Sequence, residues 1–295
     1  MKILITGSGG FIGNYLAQTF LNQGYSVTAT YRNVKPTLTV PSVRRLKSIA
    51  LNLNEGCKNM GRADVVIHAA AAHPTALPEP GVNDYVQSNV LATLNLAEYF
   101  KKNPPNFFVF LSSVDIYGTV TQTRLREDAL INNPNIYGFT KNLSENILKN
   151  YTQYFPVLSI RLPGVVGFGN RKAWVGRVFE NLTKSKPAAI YNPDALFNNV
   201  IHVADIARFI SSLPKKHLVK FDAVNLAASG SMQIKEIVES MKKMINSKSK
   251  ITVCQNSRKS YTINIAKLEK KFGFRPESVK HTIDRYVSEN QSERC

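Results

Sequence analysis

Thr6-Gly7-Ser8-Gly9-Gly10-Phe11-Ile12-Gly13 directly follows the apolar run Lys2-Ile3-Leu4-Ile5 and opens the amphipathic stretch Phe11 to Asn22. Strand, glycine turn and helix in that order are what a dinucleotide site requires. Gly7 permits the tight turn, Gly10 lets backbone approach a pyrophosphate, and Gly13 lets the helix pack against the strand. The phosphates would then rest on free N–H groups at the positive helix end, which Phe11 and Ile12 open. A bare glycine triplet says little; between a strand and a helix it points to one kind of ligand.

Outward from this turn, strand-like runs at Ile3 to Ile5, Ser26 to Thr30, Val65 to Ala69, Phe107 to Leu111 and Val157 to Leu162 alternate with helical patterns. The helices are expected at Phe11 to Asn22, Val82 to Lys102 and Ile136 to Tyr154. Such alternation implies right-handed crossovers and an α/β fold, a Rossmann-like doubly wound parallel sheet covered on both faces. After Pro163 the pattern loosens into a helix around Trp174 to Lys184, a short strand near Val200, a helix from Val203 to Leu213 and a strand at Val224 to Ala227. The remainder is lysine-rich and reads as mixed but mainly helical. The expected division is a dinucleotide-binding domain over 1–163, to which 200–228 returns, and a smaller substrate lobe over 164–199 and 229–295.

A chain of 295 residues with 43% hydrophobic content can bury a sizeable core and needs no disorder. Its N-terminus runs into a strand without a charged and apolar leader, and no apolar run reaches membrane-spanning length; the expectation is a cytoplasmic protein without membrane insertion. Cys57, Cys254 and Cys295 are too few and too scattered for a disulfide framework or zinc ligation. The formal charge of +18 invites a nucleic-acid reading. Its basic residues are spread widely, as at Arg44-Arg45, Lys101-Lys102, Lys215-Lys216, Lys242-Lys243 and Lys270-Lys271, and no nucleic-acid motif accompanies them. A solvated lysine-rich surface is the better reading, one that favours an anionic small substrate over a nucleic acid.

Tyr137 and Lys141, four residues apart in a helical pattern, fall on one helix face. An ammonium beside a phenol favours the phenolate, lowering a pKa otherwise about 10 and fitting the tyrosine for proton transfer. Upstream, Ser112-Ser113-Val114-Asp115-Ile116-Tyr117-Gly118 closes the strand begun at Phe107, at the sheet edge where doubly wound folds hold ligands. His73, after the alanine run, either borders the substrate or serves its loop; His68 and His202 read as core-facing. Five dispersed histidines argue against a metal site. Trp174 reads as a packing residue, with a nucleotide-base shelf as the alternative.

These residues together resemble the extended short-chain dehydrogenase/reductase family of sugar-nucleotide epimerases, dehydratases and keto-sugar reductases. The likeness rests on Thr6-Gly7-x-x-Gly10-Phe11-Ile12-Gly13, Asp64-Val65-Val66-Ile67-His68-Ala69-Ala70, Asn89-Val90-x-Ala92-Thr93, Ser112-Ser113-x-x-x-Tyr117-Gly118, Tyr137-Gly138-x-x-Lys141, Arg161-Leu162-Pro163 and His202-Val203-x-Asp205. It implies that Ser113 bonds the reacting oxygen, Tyr137 transfers the proton, and Lys141 holds the nicotinamide ribose and tunes Tyr137. Asn89 falls on a family helix asparagine that supports the site, an ordinary surface asparagine being the alternative. The resemblance further implies that Asn52 and Leu53 flank adenine, that Ala69, Ala70 and Ala71 line the pyrophosphate and ribose, and that Leu162 and Val165 approach the nicotinamide. It also suggests a homodimer through two helices.

The end of the second strand bears on the cofactor. An acid there usually serves NAD, whereas here Tyr31 is followed by Arg32, which suits a 2′-phosphate or stacks on adenine. NADP(H) is therefore expected ahead of NAD(H). Departures from the family pattern are also informative. Val114 stands where the 4,6-dehydratases carry a carboxylic acid, which disfavours dehydration. Gly164 replaces a substrate-binding asparagine and Asn198 a phosphate-gripping arginine, leaving Arg171, Lys172 or Arg177 to take the diphosphate unless they are merely solvated charges. The expectation is a reductase acting on a keto group of a nucleotide-activated deoxysugar. An epimerase with retained NAD is the first alternative, and a non-catalytic nucleotide-sensing protein the second.

Overall fold

The computed structural model of the chain describes residues 1–39, 43–76, 78–213, 220–254 and 259–291. Cys295 and the Lys215-Lys216 pair lie outside the described residues. Along the chain come β1 (Lys2–Thr6), α1 (Phe11–Asn22), β2 (Ser26–Tyr31), β3 (Leu46–Ala50), β4 (Val65–His68), α2 (Val82–Tyr85), α3 (Ala92–Lys101), β5 (Phe107–Ser113), β6 (Arg124–Leu125), α4 (Ile136–Lys149) and β7 (Val157–Leu162). They are followed by β8 (Gly164–Val166), α5 (Trp174–Thr183), β9 (Ala188–Tyr191), β10 (Leu196–Phe197), β11 (Val200–His202), α6 (Val203–Ser212), β12 (Phe221–Asn225), β13 (Met232–Gln233), α7 (Ile234–Met244), β14 (Ile251–Cys254), β15 (Thr262–Ile263), α8 (Ala266–Phe272) and α9 (Val279–Gln291).

Two compact units result. The first comprises Met1–Gly118, Ile131–Arg161 and Ile210–Val224. It is built on a seven-stranded sheet in the order β12-β7-β5-β4-β1-β2-β3, with parallel pairing where β1 meets β2 and β4, β2 meets β3, and β4 meets β5. Every residue of β4, β5 and β7 is buried, because helices cover both faces and leave no polar side to the strand. The strand β3 escaped the sequence reading. As an edge strand it exposes Lys47 and Ser48 and carries no continuous apolar run. α1 turns Leu16, Ala17, Phe20 and Leu21 inward at helical spacing. The buried face of α4 is different: with Leu148 it carries Tyr137, Thr140, Lys141, Ser144 and Glu145, a polar stripe inside a sheet protein.

The second unit comprises Thr119–Leu130, Leu162–Phe209 and Asn225–Cys295. Residues 119–130 and 200–209, placed with the first domain on sequence, cluster here because their strands find partners here: β6 pairs with β15 and β11 with β8. Its core joins Val175, Val178, Phe179 and Leu182 of α5 to Ile237, Val238 and Met241 of α7 and Val279, Ile283, Tyr286 and Val287 of α9. β9 and β14 form a parallel pair, and β10 and β13 an antiparallel one. Among the described residues no helix is long and apolar enough to cross a membrane, and no group of three or more His, Cys, Asp or Glu is placed to hold a metal ion.

Candidate active site

Neighbouring strands β1 and β4 mark the point where the strand order of the first unit reverses, and such a switch leaves a crevice at the C-terminal strand ends. Gly7 turns there with φ +68, and a Cβ on it would lie 2.7 Å from Ala70 Cα. A Cβ on Gly13 would lie 2.3 Å from Gly7 O, so this glycine closes α1 onto the turn itself. Gly10 caps α1 without a side-chain hydrogen bond, the first turn carries no acid, and a Cβ on Gly10 would meet only Gly7 O, at 3.3 Å. The helix end before Phe11 and Ile12 is thus open and positively polarised, a cradle whose residues fit a pyrophosphate. Gly9, which the sequence reading passed over, is pressed against Val34, whose carbonyl oxygen would lie 1.9 Å from a Cβ there.

Around the cradle, Ser8 N–H donates to Thr30 O at 2.9 Å, tying the turn to the end of β2. Asn52 caps the short helical turn Leu53–Glu55, and Leu53 is buried beneath it. Ala69 and Ala70 are half-buried and Ala71 is exposed. Arg32, on which the preference for NADP(H) rested, is exposed and donates to Ser88 Oγ at 3.4 Å. A guanidinium drawn to a serine gives no support to a 2′-phosphate over the NAD hydroxyl.

Ser113 ends β5 and caps the turn Val114–Tyr117, its Oγ accepting from Asp115 N–H at 3.1 Å. Tyr137, in the first turn of α4, is buried close enough to the Ser113 hydroxyl for that group to act on its phenol. Glycine at 138 makes this approach possible: a Cβ there would lie 2.1 Å from Asp115 O. Burial raises the Tyr137 phenol, as do the Asp115 carboxylate and Tyr85, while the nearby Ser113 hydroxyl lowers it. Lys141, expected from the sequence to lower the phenol, is not among the influences on it. The carboxyl of Asp115 is crowded by protein and raised from its ordinary value, against the Ser113 hydrogen bond, although the residue as a whole is exposed.

Lys141 is buried, with Nζ 4.0 Å from the centroid of the Phe110 ring. Burial lowers it to about 7, against the attraction of Glu145. Burial and then the Lys141 charge bring His68 down to about 3, so this imidazole stays neutral, its two nitrogens engaged by Thr6 Oγ1 at 2.7 Å and Thr93 Oγ1 at 3.0 Å.

The helix expected over Val82 to Lys102 is interrupted by a π-helical segment, Val86–Leu91. Such a segment frees backbone groups, and the Asn89 carbonyl accepts from the hydroxyls of Thr93 and Ser144. Asn89 itself is buried; its amide accepts from Ala72 N–H at 2.7 Å and donates to Thr140 Oγ1 at 3.0 Å. It therefore clamps the alanine run to α4 and is no surface asparagine. The His73 ring stands edge-on to Tyr137 with centroids 4.9 Å apart, and the Tyr85 ring lies 6.2 Å from Tyr137.

In the second unit, three expected substrate residues are committed elsewhere. Asn198 is buried, donates to Ala228 O and Ile263 O, and accepts from Ile263 N–H at 2.7 Å, so it is a clasp within the unit. Arg171 lies 4.6 Å over the Phe179 ring and donates to Tyr286 Oη at 3.1 Å. Arg177 donates to Lys172 O. Lys172 is exposed. Gly164, Leu162 and Val165 also belong to this unit, Gly164 exposed and Leu162 buried. The same unit holds a cavity of about 240 Å³, lined by Trp174, Tyr191, Phe197, Asn199, Lys259 and Tyr261 among others. Trp174 packs on the core with its ring 5.1 Å from that of Phe197, the packing role expected of it, and also lines the cavity. Asn199 Oδ1 is buried without a hydrogen-bond partner, an acceptor turned to no protein donor. Nothing local in the sequence marks this cavity, because its walls come from segments up to 87 residues apart, Trp174 to Tyr261.

Residues 3–227 match the model of the NAD dependent epimerase/dehydratase family. The UDP-glucose 4-epimerase of Corynebacterium glutamicum is 26% identical over 263 residues, covering 81% of this chain and 79% of that protein. A Bacillus subtilis protein described as an uncharacterized UDP-glucose epimerase, YtcB, is 25% identical over 262 residues, with 81% and 80% covered. The UDP-glucuronic acid 4-epimerase from Bacillus cereus, solved in complex with NAD, superposes with a TM-score of 0.84 at 21% identity, covering 99% of each chain. With the glycine cradle at the strand switch and the serine, tyrosine and lysine gathered beside it, the chain belongs to the NAD dependent epimerase/dehydratase family, within the extended short-chain dehydrogenases/reductases.

Proposed function

We propose that the protein interconverts a nucleotide-activated sugar and its C4 epimer with retained NAD. This reverses the order of the two enzymatic readings made from sequence. The observation that carries it is the close packing of α4 at Gly138 on the turn that Ser113 caps, which buries Tyr137 near that serine and one helical turn from Lys141, in a chain whose relatives and structural neighbours are named as nucleotide-sugar 4-epimerases and whose neighbour holds NAD. Gly7, Gly10, Phe11, Ile12, Gly13 and the alanines 69–71 would hold the cofactor, which supplies reversible hydride acceptance.

The chain's own part is proton transfer and orientation. Ser113 Oγ holds the sugar hydroxyl oxygen, and Tyr137 Oη takes its proton and later returns it. Burial keeps that phenol protonated, so its ionisation needs a cation beside it, and Lys141 on the same buried face of α4 is the cation in place. Taken by itself, the second unit offers a cavity suited to a nucleotide: its aromatic walls suit a flat base, Asn199 Oδ1 an N–H of that base, and Lys259 a phosphate. A homodimer is also part of this reading, through the exposed Phe139 and Leu143 of α4 with Val82 and Val86; light scattering of the purified protein tests it.

The function is tested by incubating the purified protein with UDP-glucose, UDP-glucuronic acid or UDP-N-acetylglucosamine and following the sugar protons by NMR. Appearance of the 4-epimer with no net change in nicotinamide absorbance is expected. Stoichiometric consumption of NADPH would overturn the reading and restore the reductase.

A further inference from the structure

Behind the Ser113–Tyr137–Lys141 group lies a buried carboxylate that the proposed chemistry does not use. Glu145 stands one turn after Lys141 on the same face of α4 and is 1% exposed. Arg161 of β7 grips it with two bonds, Nε to Oε1 at 3.1 Å and Nη2 to Oε2 at 2.7 Å, and Ser159 Oγ donates to Oε1 at 2.7 Å. The guanidinium then reaches on, Nη1 donating to Tyr117 Oη at 2.8 Å. Tyr117 closes the turn that Ser113 caps. Ser112 of β5, adjacent to Ser113, is buried near the same carboxylate without a hydrogen bond of good geometry, yet close enough to help lower it. The strand carrying Ser113, the turn after it and the helix carrying Tyr137 and Lys141 are thus braced on one ion pair.

The pair also has an electrostatic consequence. A buried ammonium is costly unless a negative charge is near. The groups facing Lys141 are the Phe110 ring of β5, neutral His68 of β4 and Glu145 on its own helix, with Arg161 of β7 beyond that carboxylate. Glu145 is the acid among them, and it opposes the loss of the Lys141 proton. Arg161 and Ser159 hold the carboxylate ionised, well within its charged range.

We propose that Glu145 is the positioning residue of this site, keeping Lys141 charged and, through Arg161, fixing the Ser113 turn against α4. The importance of that charge for turnover rests on the epimerase reading; the charge itself can be read without it. The test is a lysine 13Cε NMR titration of the full-length protein, with the Lys141 signal assigned by its loss in Lys141→Arg. Glu145→Gln should lower the Lys141 midpoint by about one unit, and the double variant Glu145→Gln/Arg161→Gln, which removes the guanidinium together with its partner, should lower it less. Glu145→Asp, which keeps the charge, should stay nearer the parent. The alkaline limb of the kcat profile should move with the midpoint. An unchanged Lys141 midpoint in Glu145→Gln, or the same midpoint in Glu145→Gln and Glu145→Asp, would overturn the proposal, whatever the activity. A lowered midpoint in a protein that epimerises no nucleotide sugar would uphold Glu145 and remove the proposed function instead.

Discussion

The two units bury polarity in opposite ways. In the first, α4 turns a tyrosine, a lysine and a glutamate toward the sheet, each held by specific partners. In the second, α5, α7 and α9 meet through aliphatic and aromatic side chains, and the cavity is lined mainly by aromatic and aliphatic residues with a few polar groups among them. Burial of ionisable groups costs stability unless each is paired, so a helix that does it three times in nine residues is organised for chemistry. The apolar helices of the second unit need only shape, which leaves their loops free to vary the ligand.

The sharpest break of this comparison is Tyr137→Phe. It should cut turnover of an identified nucleotide sugar by about 10²- to 10⁴-fold while leaving the melting temperature close to the parent value, since the ring and its packing persist. Wild-type turnover in that variant would remove the chemical reading of α4 altogether.

Gly138→Ala attacks the same region through packing. The added Cβ would meet the Asp115 carbonyl at 2.1 Å, so α4 must retreat from the turn that carries Ser113. A loss of about 3 kcal/mol in urea-induced unfolding is expected, with turnover falling alongside it. Unchanged stability would mean that the contact between α4 and the turn is loose.

Lys141→Met asks whether the polar stripe is a cost to folding. The folded pKa of Lys141, about 7, lies below the 10.5 of an ordinary lysine, so the unfolded chain binds more protons between those values and parent stability rises with pH across that window. Below pH 7 the full burial cost applies. The variant should therefore be about 2 kcal/mol more stable than the parent at pH 6, an advantage that fades toward pH 10 while activity is lost. Thermal unfolding at a series of pH values measures this, and a gain independent of pH would show that packing, not charge, is responsible.

The smallest effect is expected in the second unit. Tyr191 is 46% exposed at the cavity, and Tyr191→Ala should raise KM for the nucleotide sugar about threefold to tenfold with kcat and stability nearly unchanged. A fall in kcat with KM constant would place the nucleotide elsewhere.

Much of the first unit was legible in order along the chain. α1 and β7 have the bounds expected of them, and β1, β2, β4 and β5 differ by a residue or two at their ends. Local rules suffice there: continuous apolar runs for strands buried on both faces, helical spacing for α1, four-residue spacing for Tyr137 and Lys141. What escaped was set by neighbours distant in sequence. β3 is a strand because β2 offers it an edge. Asn198 looked like a vacated phosphate grip and is a clasp because Ala228 and Ile263 pass beside it. The expected lowering of Tyr137 is not seen, because burial and the Asp115 carboxylate, which spacing does not report, raise the phenol.

By itself, then, the sequence determined the strand–glycine–helix unit, the alternating sheet and the one-face placement of Tyr137 and Lys141, all consequences of backbone geometry within a few residues. Only the tertiary structure decided the π segment that frees the Asn89 carbonyl, the Glu145–Arg161 brace, the protonation of Tyr137 and the cavity around Asn199. These depend on which groups are taken out of water together, and desolvation is a property of the assembled fold.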